Sequence, residues 1–125
     1  MEQIGGNNYN LYFKRIDNTK GFGVFTNSRI NAGNVIETCY CLPCDPKDPY
    51  YSNYLFSVGF NEDFLPLGFG SIYNHSETPN IRWSIESIKY RIIKFIAIRD
   101  IGIGEELLHD YGKKWWDKRK ELKLI

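Results

Sequence analysis

Three short clusters combine residue types that a plain core does not need. They are Gly21-Phe22-Gly23, the run from Gly68 to Ser76 (GFGSIYNHS) followed by Pro79-Asn80, and the run from Gly104 to Gly112 (GEELLHDYG). Two glycines around an aromatic let the backbone turn sharply and approach a ligand closely, although a hairpin or bulge is the commoner fate of such a pair. In the second run, Asn74 and His75 can each donate and accept hydrogen bonds, which suits a polar ligand. A turn held by Asn and Ser side chains, with His75 as a structural histidine, is the plainer reading. In the third, Glu105 and Glu106 are adjacent and would point to opposite faces of a strand, so they cannot act as a carboxylate pair on one substrate. That leaves Tyr111 as the group of interest.

Several chemistries are absent from the pattern. The chain has no G-x-x-x-x-G-K-[ST] phosphate loop and no G-x-S-x-G nucleophile turn. His75 and His109 are its only histidines and lack the spacing of a zinc-binding pair. Cys39, Cys41 and Cys44 could present three thiolates to zinc, but no fourth cysteine or adjacent histidine accompanies them. They read as small apolar residues, with Cys39 and Cys41 on one face of a strand, and no metal is expected. An odd, crowded set is also a poor disulfide framework, so a reducing compartment is expected. With 16 basic and 15 acidic residues, the net charge of +1 gives none of the basic footprint that carries nucleic-acid affinity. No apolar run reaches the ~20 residues that span a bilayer, and the first residues lack a signal pattern. A soluble, intracellular protein with no membrane or nucleic-acid contact is expected. Asp45, Asp48, Glu62 and Asp63 could rim a site for a basic peptide, though such charges are more often a solvated face.

The elements that must position these clusters are mostly strands. LYFKRI (11–16), FGVF (22–25), VIETCYCL (35–42), IRWSI (81–85) and RIIKFIAI (91–98) are short, rich in β-branched and aromatic residues, and bounded by turn formers. PCDPKDP (43–49) carries three prolines and reads as an exposed loop. YYSNYLFS (50–57) could make a short helix, and KKWWDKRKELK (113–123) has the charge alternation of a terminal one. At 125 residues the chain is expected to be one mainly β domain. Its 16% aromatic content suits a β core or a site walled by rings.

In their order and spacing, GFGVF, GFGSIYNHS with PN after it, and IGIGEELLHDYG resemble the SET-domain family of protein lysine methyltransferases. The likeness runs from about Lys14 to Trp116. YLFS (54–57) with LGFGSIYNHSETPN (67–80) looks especially like the minimal SET proteins of large DNA viruses. The resemblance implies a β-clip of small sheets with a C-terminal pseudoknot and a short terminal helix. It also implies transfer of methyl groups from S-adenosylmethionine to a protein lysine, with a histone tail as the expected target and the nucleus as the expected location. By the same likeness, Gly21, Phe22 and Gly23 match the first cofactor loop, and Asn74 with His75 the second, whose backbone and amide hold the cofactor. Tyr111 matches the catalytic tyrosine, Tyr54 a tyrosine of the lysine channel, and Trp116 an aromatic near the adenine. Glu105 and Glu106 match acidic positions with structural duties. The viral proteins act as homodimers, so self-association is implied as well. The chain departs from many relatives in carrying His109 where they have Phe or Tyr. It also shows no cysteine-rich zinc segment after the motif, which leaves Trp115 and Trp116 to close the site. The alternatives are a catalytically inactive SET-like module that binds a peptide, and a methyltransferase for a non-histone protein.

Overall fold

In the computed structural model, which describes residues 5–59 and 63–121, short strands curl around one cluster of buried side chains. After β1 (Gly6–Asn7), β2 (Leu11–Asp17) and β3 (Gly21–Thr26) form an antiparallel hairpin. The Asp17 carboxylate shapes its turn by accepting the backbone N–H groups of Thr19 (2.9 Å) and Lys20 (2.6 Å). Gly21 leaves the turn at φ +69°, the left-handed region that glycine enters without steric cost. Gly21 thus takes the plain hairpin role while opening the first motif.

The largest sheet is built on β4 (Val35–Cys44). With β5 (Phe56–Ser57), β6 (Asp63–Pro66), β8 (Ile81–Ser87) and β9 (Ile92–Ala97), its order is β5-β6-β4-β9-β8, and β1 also pairs with β4. A register shift between Val35 and Glu37 interrupts the alternation, so Ile36 is buried and yet Glu37, Cys39 and Cys41 are buried too. Cys39 and Cys41 therefore share an inward face, as the sequence suggests.

Two expectations are corrected here. PCDPKDP is not wholly a loop, because β4 runs through Cys44, with Pro43 opposite Phe64 and Cys44 opposite Asp63. The ladder with β9 has already ended at Tyr40, and a proline is tolerated where a strand has one neighbour. The 50–57 segment is a single 3-10 turn, Ser52–Tyr54, followed directly by β5, because burial of Leu55 and Phe56 draws it into the sheet edge.

Two very short strands, β7 (Asn74–His75) and β10 (Leu108–His109), pair in parallel. The chain leading into β10 is held on both sides. On one side, Thr26 N–H donates to the Glu105 carbonyl, Gly104 N–H to that of Thr26, and Leu107 N–H to that of Val24. On the other, Ser76 N–H donates to the His109 carbonyl and Asn80 N–H to that of Leu108. This double clamp lies where the resemblance implies the C-terminal pseudoknot. Helix α1 (Lys113–Glu121) follows at once.

Candidate active site

β7 and β10 set the site, because their parallel pairing brings the second and third motifs side by side. Leu108 lies opposite Asn74 and His109 opposite His75. Tyr111 follows two residues later and is fixed at both ends. Its backbone N–H donates to His75 Nδ1 (3.0 Å), and its hydroxyl donates to the Tyr73 carbonyl (2.9 Å). His75 therefore carries any neutral-state proton on Nε2.

Rings crowd around Tyr111. Its centroid is 4.7 Å from those of His109 and Trp115, 5.1 Å from His75 and 6.4 Å from Trp116. Trp116 also meets His75 edge-on at 5.1 Å. The first turns of α1 thus bring Trp115 and Trp116 over His75 and Tyr111, where the sequence calls for a closing element.

The first motif joins through Asn74. The Asn74 amide nitrogen donates both to the Phe22 carbonyl (3.0 Å) and to Glu106 Oε2 (2.8 Å). A Cβ at Gly23 would collide with Glu106 Oε2 and come within 3.0 Å of the Asn74 amide, so glycine there allows β3 and the two motifs to close together. At Gly21 the same position is open, and the Phe22 ring stays 52% exposed beside it. The Phe22 carbonyl is tied to Asn74, next to His75, whose ring meets Trp116, and rings of this kind attract a cation over their faces.

His109 is buried, which the sequence left open. Its ring stacks on Phe56 (5.3 Å, 18°) and meets Phe95 edge-on (6.1 Å). Burial pushes the imidazole down to about 4, against a weaker upward pull from a backbone hydrogen bond with Asp110. Nδ1 of this ring has no hydrogen-bond partner among the described residues.

Tyr54 stands apart from these rings. It is half exposed at the end of the 3-10 turn, and its carbonyl accepts the Ser71 hydroxyl at 3.3 Å, which ties that turn to the loop leading into Tyr73. Glu105 and Glu106 serve separate places. Glu105 accepts the Gly102 N–H and pairs with Arg99 (3.4 Å), while Glu106 holds Asn74. Of the four acids that could rim a site, Asp63 is only 4% exposed, Asp45 and Asp48 accept the N–H groups of Lys47 and Tyr50, and Glu62 lies outside the described residues. Burial raises the thiols of Cys39 and Cys41, the latter up to about 12, as befits small side chains on an inward face.

The sequence reading missed Glu37 and gave Tyr73 and Asn80 no role beyond membership of the second cluster, and all three are buried. Asn80 stands in for backbone, its Oδ1 accepting Leu108 N–H (2.8 Å) and its Nδ2 donating to the Glu106 carbonyl (2.8 Å).

The SET domain family model matches residues 21–112, which contain all three motifs. A histone-lysine N-methyltransferase of Schizosaccharomyces pombe, specific for H3 lysine-37, is 32% identical over 107 residues, covering 78% of this chain and 70% of its own. A Plasmodium falciparum protein provisionally assigned as a histone methyltransferase superposes with a TM-score of 0.73 at 30% identity, covering 86% of this chain and 97% of its own. A chain of ctPRC2, in an autoinhibited conformation bound to S-adenosylmethionine, gives 0.70 at 22% identity over 93% of this chain and 17% of its own, a likeness of fold alone. The chain belongs to the SET-domain family of lysine methyltransferases, whose methyl donor is S-adenosylmethionine.

Proposed function

We propose that this protein methylates a lysine side chain in a histone tail, with Tyr111 orienting the attacking amine. The observation that carries the reading is the Tyr111 hydroxyl, fixed on the Tyr73 carbonyl within a wall of rings. S-adenosylmethionine supplies an electrophilic methyl group on a sulfonium. Gly21, Phe22, Gly23, Asn74, His75 and Trp116 form its site, and Tyr54, His109 and Tyr111 line the lysine channel.

A lysine ammonium has an ordinary pKa of about 10.4 and must lose a proton before its nitrogen can attack. Aromatic walls favour that loss, because burial disfavours the charged form. Since the Tyr111 hydroxyl proton is committed to the Tyr73 carbonyl, its oxygen meets the amine as an acceptor. It takes an amine N–H and leaves the nitrogen lone pair to point at the methyl group, which is a positioning effect. Tyr54, half exposed and tied through its carbonyl to Ser71 of the loop that leads into Tyr73, is the residue proposed for the mouth of this channel.

A nuclear location accompanies a histone target, and a homodimer is the proposed assembly, with no direct contact to nucleic acid or membrane. No helix among the described residues is long and apolar enough to cross a bilayer. One observation favours a second reading, an inactive module that binds a peptide: the Tyr111–Tyr73 bond is also how a structural tyrosine satisfies its hydroxyl.

Incubation with labelled S-adenosylmethionine and core histones, with a cell extract in parallel, followed by mass-spectrometric mapping, separates these readings. A labelled histone lysine is the expected result. Label only in extract proteins would move the substrate elsewhere, and calorimetric cofactor binding without any labelled lysine would favour the inactive module.

A further inference from the structure

Glu37 is a buried carboxyl that the proposed chemistry does not use. At 3% exposure it must be met by hydrogen bonds, since an unpaired buried charge is costly. Three donors meet it: the Phe69 N–H on Oε2 (2.9 Å), the Tyr73 hydroxyl on Oε1 (2.7 Å) and the Cys39 thiol of the same strand. Phe69 and Tyr73 belong to the loop that carries the second motif. Gly68, at φ +75°, lets that loop come so close that a Cβ there would stand 2.5 Å from Glu37 Oε2. Burial raises the Glu37 carboxyl above its ordinary range, while the hydrogen bonds from Phe69, Tyr73 and Cys39 pull it back.

Tyr73 connects this carboxyl to the site. Its ring is fully enclosed and tilted against Phe95 at 4.7 Å, and its hydroxyl is held by Glu37. Its carbonyl is the atom that receives the Tyr111 hydroxyl. One residue thus carries both the hydroxyl held by Glu37 and the carbonyl that anchors Tyr111.

We infer that Glu37 is a positioning residue for methyl transfer: through Tyr73 it fixes the carbonyl that anchors the Tyr111 hydroxyl, and with it the direction from which the Tyr111 oxygen meets the substrate amine. This rests on the reading of Tyr111 as the orienting group.

The test uses Tyr73→Phe, which removes one hydroxyl and keeps the ring and carbonyl, and Glu37→Gln, which keeps the shape. Each is made in the full chain and in a Tyr111→Phe background. Either change is expected to slow single-turnover methyl transfer about tenfold, within the range of coupling through packed networks. Cofactor affinity should stay within about twofold, the scatter of independent sites. In the Tyr111→Phe background, the same change should have no further effect on rate. The 19F resonance of 3-fluorotyrosine placed at position 111 should move in both variants, a readout that needs no turnover. An unmoved resonance in a folded Tyr73→Phe protein would overturn the inference. So would a slowing of equal size in the Tyr111→Phe background, since Glu37 would then act independently of Tyr111. A resonance that moves in a protein whose wild type transfers no methyl group would uphold the link from Glu37 to Tyr111 and sink the methyl-transfer reading instead.

Discussion

Asn74 commits its amide nitrogen to the protein itself, holding the Phe22 carbonyl and Glu106 at once. Its truncation should act through the loop that β3 presents. Asn74→Ala is expected to weaken S-adenosylmethionine binding by at least ~1 kcal/mol, the usual cost of unpairing buried polar groups. Asn74→Asp should be worse, because it sets a carboxylate against that of Glu106. Calorimetry decides, and an unchanged dissociation constant in a folded Ala variant would remove Asn74 from the site. His109 carries a second expectation. Its ring touches Tyr111, so His109→Phe should alter the ratio of mono- to higher methylation, read by mass spectrometry of the product. The same variant has a stability signature. In the unfolded chain an imidazole protonates near 6.5, whereas His109 in the fold does so only at about 4. The unfolded state therefore binds the extra proton between those values, and stability is lost as pH falls through that window, by on the order of 3 kcal/mol. Glu37 acts with the opposite sign. Its raised carboxyl keeps its proton longer in the fold, so its contribution declines as pH rises above the ordinary carboxylate range. Subtracting the stability curve of His109→Phe from that of the wild type isolates the histidine, and an unchanged slope between pH 6.5 and 4 would contradict its buried, neutral state. The positions of His75 and Tyr111 were legible because the family motif marks them, and His109 stood out as a departure from that motif. Glu37 was not, since an acid in a strand reads as solvent-facing unless the bulge beside it is known.

At the scale of elements, the placement of the site depends on the clamp around the chain entering β10. Asn80→Ala would leave the Leu108 N–H and the Glu106 carbonyl without their side-chain partners. A loss of ~2 kcal/mol in unfolding free energy is expected, with faster hydrogen exchange at the Leu108 amide. Urea titration and exchange on the same variant check this, and unchanged protection at Leu108 would mean that the clamp does not rely on Asn80. The long strands β2, β4, β8 and β9 were legible from β-branched and aromatic runs between turn residues. β7 and β10 were not. Two residues each carry no periodicity, and their parallel pairing joins segments distant in sequence. Pro43 misled because its permitted place, on a stretch of β4 with one neighbour, is a property of the sheet rather than of the peptide.

For the molecule as a whole, the near-neutral charge leaves association to apolar surface. Tyr40, Leu42, Tyr50, Tyr51 and Leu67 are exposed, and rings of this kind are enriched where proteins meet. The proposed homodimer predicts a sedimentation coefficient above the monomer value at micromolar concentration, and a purely monomeric boundary would count against it. Composition indicated a β protein, and the threading of its C-terminal segment came only from the resemblance, because no local pattern encodes which chain passes between which. The central claim rests on Tyr111, and its most direct test is single-turnover methyl transfer and thermal unfolding measured together on Tyr111→Phe. If the hydroxyl orients the amine, the ring and fold persist, cofactor still binds, and turnover falls on the order of a hundredfold, as for loss of ~3 kcal/mol at a reacting centre. Near-normal turnover with stability lowered by ~1 kcal/mol would contradict the account and make Tyr111 a structural tyrosine.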